Sequence, residues 1–445
     1  MSSTSKLIYT LLHRKPKSFN QLKQIHAILI TTNLKSPSTL AKLIENHFSL
    51  SPNKAPIHAH LIVNNNQTDY QLFLLNTLIK CSLPRDSIHL FAKWVSVSSI
   101  VFDDYTFIFA LGACARSPFV SGLYEGKQIH ARAMKLGFMP DLLVSTTALH
   151  FYANNGGYSS QKQNSHENSI KALVSFKEMM VADDSDVKPN GMTMVCVLST
   201  VSQLGSLESG CSVHGYIAKT IDAPENDVYV GTSLVDMYSK CGCLGIASKV
   251  FAMMNERNVR TWTAMVTGLA FYGKGKEAIE LLNEMREYDV RPNTITFTST
   301  LSACCHAGLV EEALYLFHNM EKEFGVTPQI EHYGCIVDLL GKSGLLREAY
   351  EFIVRMPTES NSVLWRSLLG SCRLHGDFVM GERVGKILLQ LQLDLHLGNE
   401  ISTSKDYIGL SNVYALAERW EDVGTIREEM RMKGLEIKPG HSAVH

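Results

Sequence analysis

The chain has 445 residues, 45% hydrophobic and 19% charged, with a formal net charge of −1. This composition excludes disorder along the whole chain, and near-neutrality excludes a protein that coats duplexes nonspecifically, though not one that reads single-stranded bases in a locally basic groove. No run of 18 apolar residues occurs, so neither a transmembrane helix nor a membrane partner is expected; none of the ten cysteines stands in a C-x-x-C, so zinc held on that spacing is excluded and the thiols read as buried small hydrophobes.

From the N-terminus, residues 1–18 have the composition of an organelle transit segment. No Asp or Glu precedes Glu45, and Lys6, Arg14, Lys15, Lys17, Lys23, Lys35 and Lys42 supply the charge. The competing reading of Phe19–Leu34 is a basic amphipathic repeat helix. Residues 19–71 read as degenerate N-terminal repeats.

Beyond them the sequence repeats itself. Thr261-Trp262-Thr263 recurs as Thr296-Phe297-Thr298 at an offset of 35; Glu277-Ala278 recurs as Glu312-Ala313 and Glu348-Ala349. Each unit has an apolar stretch such as Trp262–Phe271, a glycine turn such as Gly273-Lys274-Gly275, and an amphipathic stretch such as Ala278, Leu281, Leu282, Met285. In several units a proline then blocks continuation, as in Lys188-Pro189-Asn190 and Arg291-Pro292-Asn293. The units run 72–103, 104–141, 142–190, 191–227, 228–258, 259–293, 294–329 and 330–361. Two altered pairs follow at 362–395 and 407–440. The polar stretch Asn154–Ser169 is expected to break the pattern, as an irregular insertion between helices Leu142–Tyr152 and Ile170–Val181 or as the remnant of a lost helix pair. Leu393–Lys405 reads as a loop. One such pair cannot bury its apolar faces alone, so the fold expected is an all-α solenoid stabilised by nearest-neighbour stacking.

The units VYVGTSLVDMYSKCGCLGIASKVFAMMNERN, VRTWTAMVTGLAFYGKGKEAIELLNEMREYDVRPN and TITFTSTLSACCHAGLVEEALYLFHNMEKEFGVTPQ differ in length in a fixed order. They resemble the short, standard and long repeats of plant pentatricopeptide repeat proteins of the subclass that alternates three repeat types. The segment 362–440 resembles that subclass's C-terminal E-type extension. The resemblance implies a right-handed α-solenoid of helix-turn-helix repeats over 72–361. It also implies binding of single-stranded organellar RNA, one base per repeat.

In that family the fifth and last residues of a repeat contact the base edge. The positions here are Asn76 with Asp103, Thr146 with Asn190, Thr232 with Asn258, and Thr263 with Asn293. By the family's pattern Thr/Asn favours adenine and Asn/Asp favours uracil. Units 228–258 and 259–293 would then read two adjacent adenines, and Asn293→Asp would move the preference toward guanine. Read without the family, an Asn before a helix is a good N-cap and a helical Thr is tolerated filler. The long units offer Ile108 with Asp141, Val195 with Asp227 and Thr298 with Gln329, and the apolar fifth residues cannot hydrogen-bond a base.

Members with this extension direct C-to-U editing in mitochondria or plastids. The chain has neither H-x-E nor P-C-x-x-C, so it is not expected to be an enzyme or to need a cofactor. A DYW-type cytidine deaminase or another editing factor would act in trans. The basic start favours the mitochondrion over the plastid. Alternatives of other classes are an RNA stability, processing or translation factor, and a protein-binding scaffold.

Overall fold

The computed structural model describes residues 24–25, 37–50, 68–95, 102–117, 120–157, 162–181, 188–221, 224–357, 360–394 and 404–435. The expected transit segment, and all but the ends of the expected loop at 393–405, lie outside the described residues. Within the described residues the structure consists of 21 α-helices and one 3-10 turn, with no strand. The fold is an α-solenoid of helix pairs, as the repeat pattern requires.

The chain divides into two compact units, Met1–Met237 and Tyr238–His445. In the first, α1 (Pro37–Leu50) precedes the pairs α2 (Thr68–Cys81) and α3 (Pro84–Val95), α4 (Asp104–Arg116) and α5 (Val120–Lys135), α6 (Leu142–Gly157) and α7 (Lys162–Val181), and α8 (Gly191–Leu204) and α9 (Leu207–Thr220). Helix α10 (Val228–Lys240) spans the boundary. The second unit continues with α11 (Leu244–Met253), then α12 (Val259–Phe271) and α13 (Gly275–Glu287), and α14 (Thr294–Ala307) and α15 (Val310–Phe324). It ends with α16 (Ile330–Lys342) and α17 (Leu346–Val354), α18 (Ser362–His375) and α19 (Phe378–Asp394), and α20 (Ser404–Leu416) and α21 (Trp420–Met432).

In both units the first helices of consecutive pairs pack side by side. In most pairs the second helix lies against its own first helix and the next one, as α13 does between α12 and α14. Small residues permit this approach: Ala247, Ala278, Ala313 and Ala349, spaced by the repeat, are all completely buried. Gly341 on α16 faces Ser371 on α18 so closely that a Cβ there would stand 2.3 Å from the serine Oγ. Gly268 on α12 meets Ser239 in the same way, at 2.4 Å. Gly273 takes φ 63°, the left-handed conformation the predicted turn needs and glycine adopts without strain.

The apolar core of the second unit runs without a break from Leu282 to Val413, through Phe297, Phe317, Ile336, Trp365 and Leu388. No repeat owns a closed core, and stability is therefore close to a sum of interfaces between neighbours.

The polar stretch Asn154–Ser169 differs from expectation. Helix α6 continues to Gly157 and α7 starts at Lys162, so both helices enter the segment read as an insertion. Ala172, Phe176 and Met179 bury one face of α7, which packs on α6 and α8, and Glu167 pairs with Lys171 one turn on at 2.6 Å. Packing of that face overrides the weak helix propensity of the polar residues. The cost is visible at Asn168, completely buried with neither amide atom hydrogen-bonded among the described residues.

Cys114, Cys196, Cys304, Cys305 and Cys372 are buried as expected, whereas Cys211 is exposed. His130, on a long-type unit, is buried against Tyr152 of the next pair, with Nδ1 3.0 Å from the phenol oxygen, and burial lowers its pKa.

Candidate nucleic-acid interface

The last residue of a repeat is the N-cap of the next first helix. Asn190, Asn258 and Asn293 sit in extended backbone just before α8, α12 and α14. In each, Oδ1 accepts a backbone N–H of the first turn: Thr193 N at 3.0 Å, Thr261 N at 3.1 Å and Thr296 N at 2.9 Å. A backbone N–H only donates, so the amide oxygen must face the helix. The Nδ2 group is thereby turned away, and for Asn293 it has no protein partner among the described residues. The capping role and the base-facing role are thus compatible: the cap fixes which end of the amide is presented.

Asp103 occupies the same place before α4. Its Oδ1 accepts Thr106 N–H at 2.9 Å. A carboxylate has no donor to turn outward, so this site presents an acceptor where the others present a donor.

The fifth residue of the preceding repeat reaches this cap through the third residue of the capped helix. Thr263 Oγ1 lies 2.7 Å from Thr296 Oγ1, which donates to Asn293 Oδ1 at 3.0 Å. Thr146 Oγ1 lies 2.9 Å from Thr193 Oγ1, which bonds Asn190 Oδ1 at 3.1 Å. The pair Thr146/Asn190 therefore has the geometry of Thr263/Asn293 despite the irregular length of its unit. Asn76 donates from Nδ2 to Asp103 Oδ1 at 2.9 Å, and its Oδ1 lies 2.8 Å from the Thr106 hydroxyl. Thr232 is half-buried on α10 in the first unit, and Asn258 caps α12 in the second.

The long units lack this linkage. Asp141 and Asp227 cap Val144 and Val230 N–H at 2.8 and 3.2 Å, but Ile108 and Val195 bring no polar atom to them. Thr298 donates to the Thr294 carbonyl of its own helix. Where a third-residue threonine would stand after it, the buried His332 accepts Gln329 N–H at 2.8 Å. Gly334 brings no side chain, and Asn361 simply caps α18.

Sequence reasoning missed the third-residue threonines Thr106, Thr193, Thr261 and Thr296. The signal for them was the Asn-x-x-Thr or Asp-x-x-Thr spacing of a capping box. It also missed the second residue of the repeats, which is apolar yet exposed. Phe73, Tyr105, Leu143, Met192, Tyr229 and Ile295 lie between 47% and 65% exposed. An apolar residue recurring outside the buried face is a surface that stacks or is covered. Arg260 and Glu331 interrupt this series.

In the first unit these features meet in one cavity of about 600 Å³. Asn76 and Asp103 form its polar wall, Phe73, Tyr105 and Phe109 its aromatic walls, and Lys80 and Glu45 its rim. The Lys80 ammonium lies 5.7 Å from the Phe109 ring centroid. Burial, then the Asp141 and Asp103 carboxylates, raise the pKa of the neighbouring Asp104 above its ordinary value.

Burial pushes the thiols of Cys114, Cys304 and Cys372 up to about 12, which keeps them protonated and unreactive. Among the described residues no cluster of His, Cys, Asp or Glu is arranged to hold a metal, and no helix is long and apolar enough to cross a membrane.

Family comparisons match this organisation. Models of the pentatricopeptide (PPR) repeat match residues 232–259, 257–306, 295–323 and 331–360, and a model of the E motif matches 388–445. The chain is 46% identical to the pentatricopeptide repeat-containing protein At3g18970 of Arabidopsis thaliana, covering 98% of each chain. It is 35% identical to At3g47530 of the same plant, covering 95% of this chain and 74% of that one. Among solved structures, the pentatricopeptide repeat protein PPR10 in complex with an 18-nt psaJ RNA element superposes with a TM-score of 0.70 at 13% identity. That match covers 97% of this chain and 60% of PPR10 and shows a shared fold.

Proposed function

The chain belongs to the pentatricopeptide repeat family, with the E motif and the unequal repeats of the subclass that alternates three repeat types, and on that premise we propose that it is a sequence-specific reader of single-stranded RNA. Its targets are organellar transcripts, and it directs their C-to-U editing by placing a deaminase, recruited in trans, beside the edited base. The observation that carries the reading is the fixed polarity of the caps. Asn190, Asn258 and Asn293 turn a donor outward, while Asp103 turns an acceptor outward. A donor suits the ring-nitrogen acceptor of adenine. An acceptor suits the imino N–H of uracil or guanine. The sites are thus chemically distinct, which a generic scaffold does not require.

The exposed second residues supply the other half of base recognition. A base entering the Asn76/Asp103 cavity meets the Phe73 and Tyr105 faces while its edge meets the two polar side chains. Stacking of this kind is worth about 1–3 kcal/mol per base and is tolerant of sequence. The polar pair then discriminates, by about 1–3 kcal/mol at best for a well-matched edge. Specificity therefore needs several repeats acting together. PPR10, in its RNA complex, and relatives named as chloroplastic or mitochondrial support an organellar RNA target.

Two measurements test the proposal. The purified chain should bind single-stranded RNA and discriminate against the same sequence in a duplex, where base edges are paired; equal binding to both contradicts base reading. Sequencing mitochondrial and plastid transcripts in a loss-of-function plant should show lost C-to-U conversion at discrete sites. Changed transcript abundance with editing intact would instead make the protein a stability or processing factor.

A further inference from the structure

We propose that the buried third-residue threonine of a capped helix, Thr296 in the second unit, is a positioning residue that sets the hydrogen-bonding polarity of the base-facing pair without touching RNA. The inference rests on the RNA-reading role proposed above.

The first observation is the bond pattern. Thr296 is completely buried, yet its hydroxyl lies between both residues expected to face a base, 2.7 Å from Thr263 Oγ1 and 3.0 Å from Asn293 Oδ1. Its oxygen also accepts the Asn293 backbone N–H at 3.3 Å. Thr193 and Thr106, each completely buried, stand in the same relation to Thr146 with Asn190 and to Asn76 with Asp103.

The second observation is the covariation between repeats of this one chain. At four of the five polar fifth residues (Asn76, Thr146, Thr232, Thr263) the third residue of the next first helix is threonine (Thr106, Thr193, Thr261, Thr296), while Thr298 is followed by His332 and bonds its own helix instead. Where the fifth residue is the apolar Ile108 or Val195, the third residue is Val144 or Val230. Valine has the shape of threonine without the hydroxyl, and Asp141 and Asp227 still cap the valine-bearing helices. Capping and packing therefore do not need the hydroxyl. The fifth residue does.

Counting protons shows why. The Thr263 hydroxyl has one hydrogen, and the carbonyl of Val259 lies 2.7 Å away as its internal acceptor. When Thr296 donates to Asn293, Thr263 offers a base only lone pairs. The Asn293 oxygen also accepts the Thr296 N–H, so its amide hydrogens stay outward. Thr296 thus holds Thr263 as an acceptor beside the outward donor of Asn293, the complement of the amino donor and ring-nitrogen acceptor of adenine. With valine at 296, Thr263 keeps Val259 as its one internal acceptor, its hydrogen can turn to the base, and that half of the contact loses its fixed polarity.

The test is selection of bound sequences from a fully randomised single-stranded RNA pool by the full-length chain. Asn293→Asp first marks the motif position read by this pair, since it alters that position alone. Thr296→Val is expected to flatten the preference at the marked position at least about fivefold, leaving the rest of the motif and total RNA affinity in place. Thr296→Ser, which keeps the hydroxyl, is expected to restore it. Thr193→Val should flatten a different single position. The proposal is overturned if Thr296→Val leaves the marked position as sharp as in wild type, if it blurs all positions evenly, or if serine fails to rescue. Absence of any enriched motif with the wild-type chain would overturn the RNA-reading role itself, and this proposal with it.

Discussion

Asn293 illustrates how one residue serves the fold and the interface at once. Its oxygen is committed to the first turn of α14, and that commitment turns its amide hydrogens away from the helix. Asn361 has the same bonds, accepting Val363 and Leu364 N–H at 3.1 Å each, but the fifth residue it would pair with is Gly334. Asn361→Ala is therefore expected to cost about 1 kcal/mol of stability in urea unfolding while leaving the selected RNA motif unchanged. A changed motif would mean that a cap without a polar partner still reads a base. At this scale the sequence told part of the story. The period located Thr263 and Asn293, because register is a matter of counting. It did not reveal Thr296, because a third-residue threonine inside an apolar helix looks like filler until its bonds to two residues of the preceding repeat are seen. Nor did it reveal Phe73 and Tyr105, since hydrophobicity alone does not distinguish an exposed apolar residue from a buried one.

Helices were more legible than side-chain roles. Buried Ala278, Ala313 and Ala349 and the left-handed Gly273 follow directly from the repeat grammar, and the helix pairs form where the apolar period places them. The polar stretch Asn154–Ser169 was misjudged because propensity is a weak guide once Ala172, Phe176 and Met179 find partners on neighbouring helices. Ion pairs between helices were not legible at all, since they join residues far apart in sequence. Glu382 on α19 binds Lys386 at 2.7 Å and Arg419, the residue before α21, at 2.5 Å. Hydrogen bonds from Lys386, then from Arg419, lower its pKa from the ordinary 4.5 to about 2. A carboxylate with a depressed folded-state pKa stabilises above its unfolded value, and that contribution is lost as pH falls. Protection of α20 and α21 in hydrogen exchange should therefore decline between pH 4.5 and about 2, and Glu382→Gln should remove that part of the decline. The pair is open to solvent, so about 1 kcal/mol or less is at stake. An identical pH profile in the variant would show that the network does not hold these helices.

For the whole chain, the repeat is the unit of both stability and recognition. Each first helix contributes one interface to its neighbour, and in the proposed function it offers one edge to RNA, so the unequal repeats would spell a discontinuous pattern. Under that proposal the units with Asn76, Thr146, Thr232 and Thr263 discriminate, and the units with Ile108, Val195 or Thr298 act as spacers. The net charge of −1 fits such a reader, whose selectivity comes from edges and stacking more than from phosphate attraction. The central claim is that single side chains name single bases. Its most direct test is to measure affinities of wild type and Asn293→Asp for two single-stranded RNAs drawn from the wild-type motif, identical except for adenine or guanine at the position opposite Thr263 and Asn293. Wild type should favour the adenine RNA and Asn293→Asp the guanine RNA, a reversal of about tenfold or more in the ratio. An unchanged ratio in the variant would contradict the account.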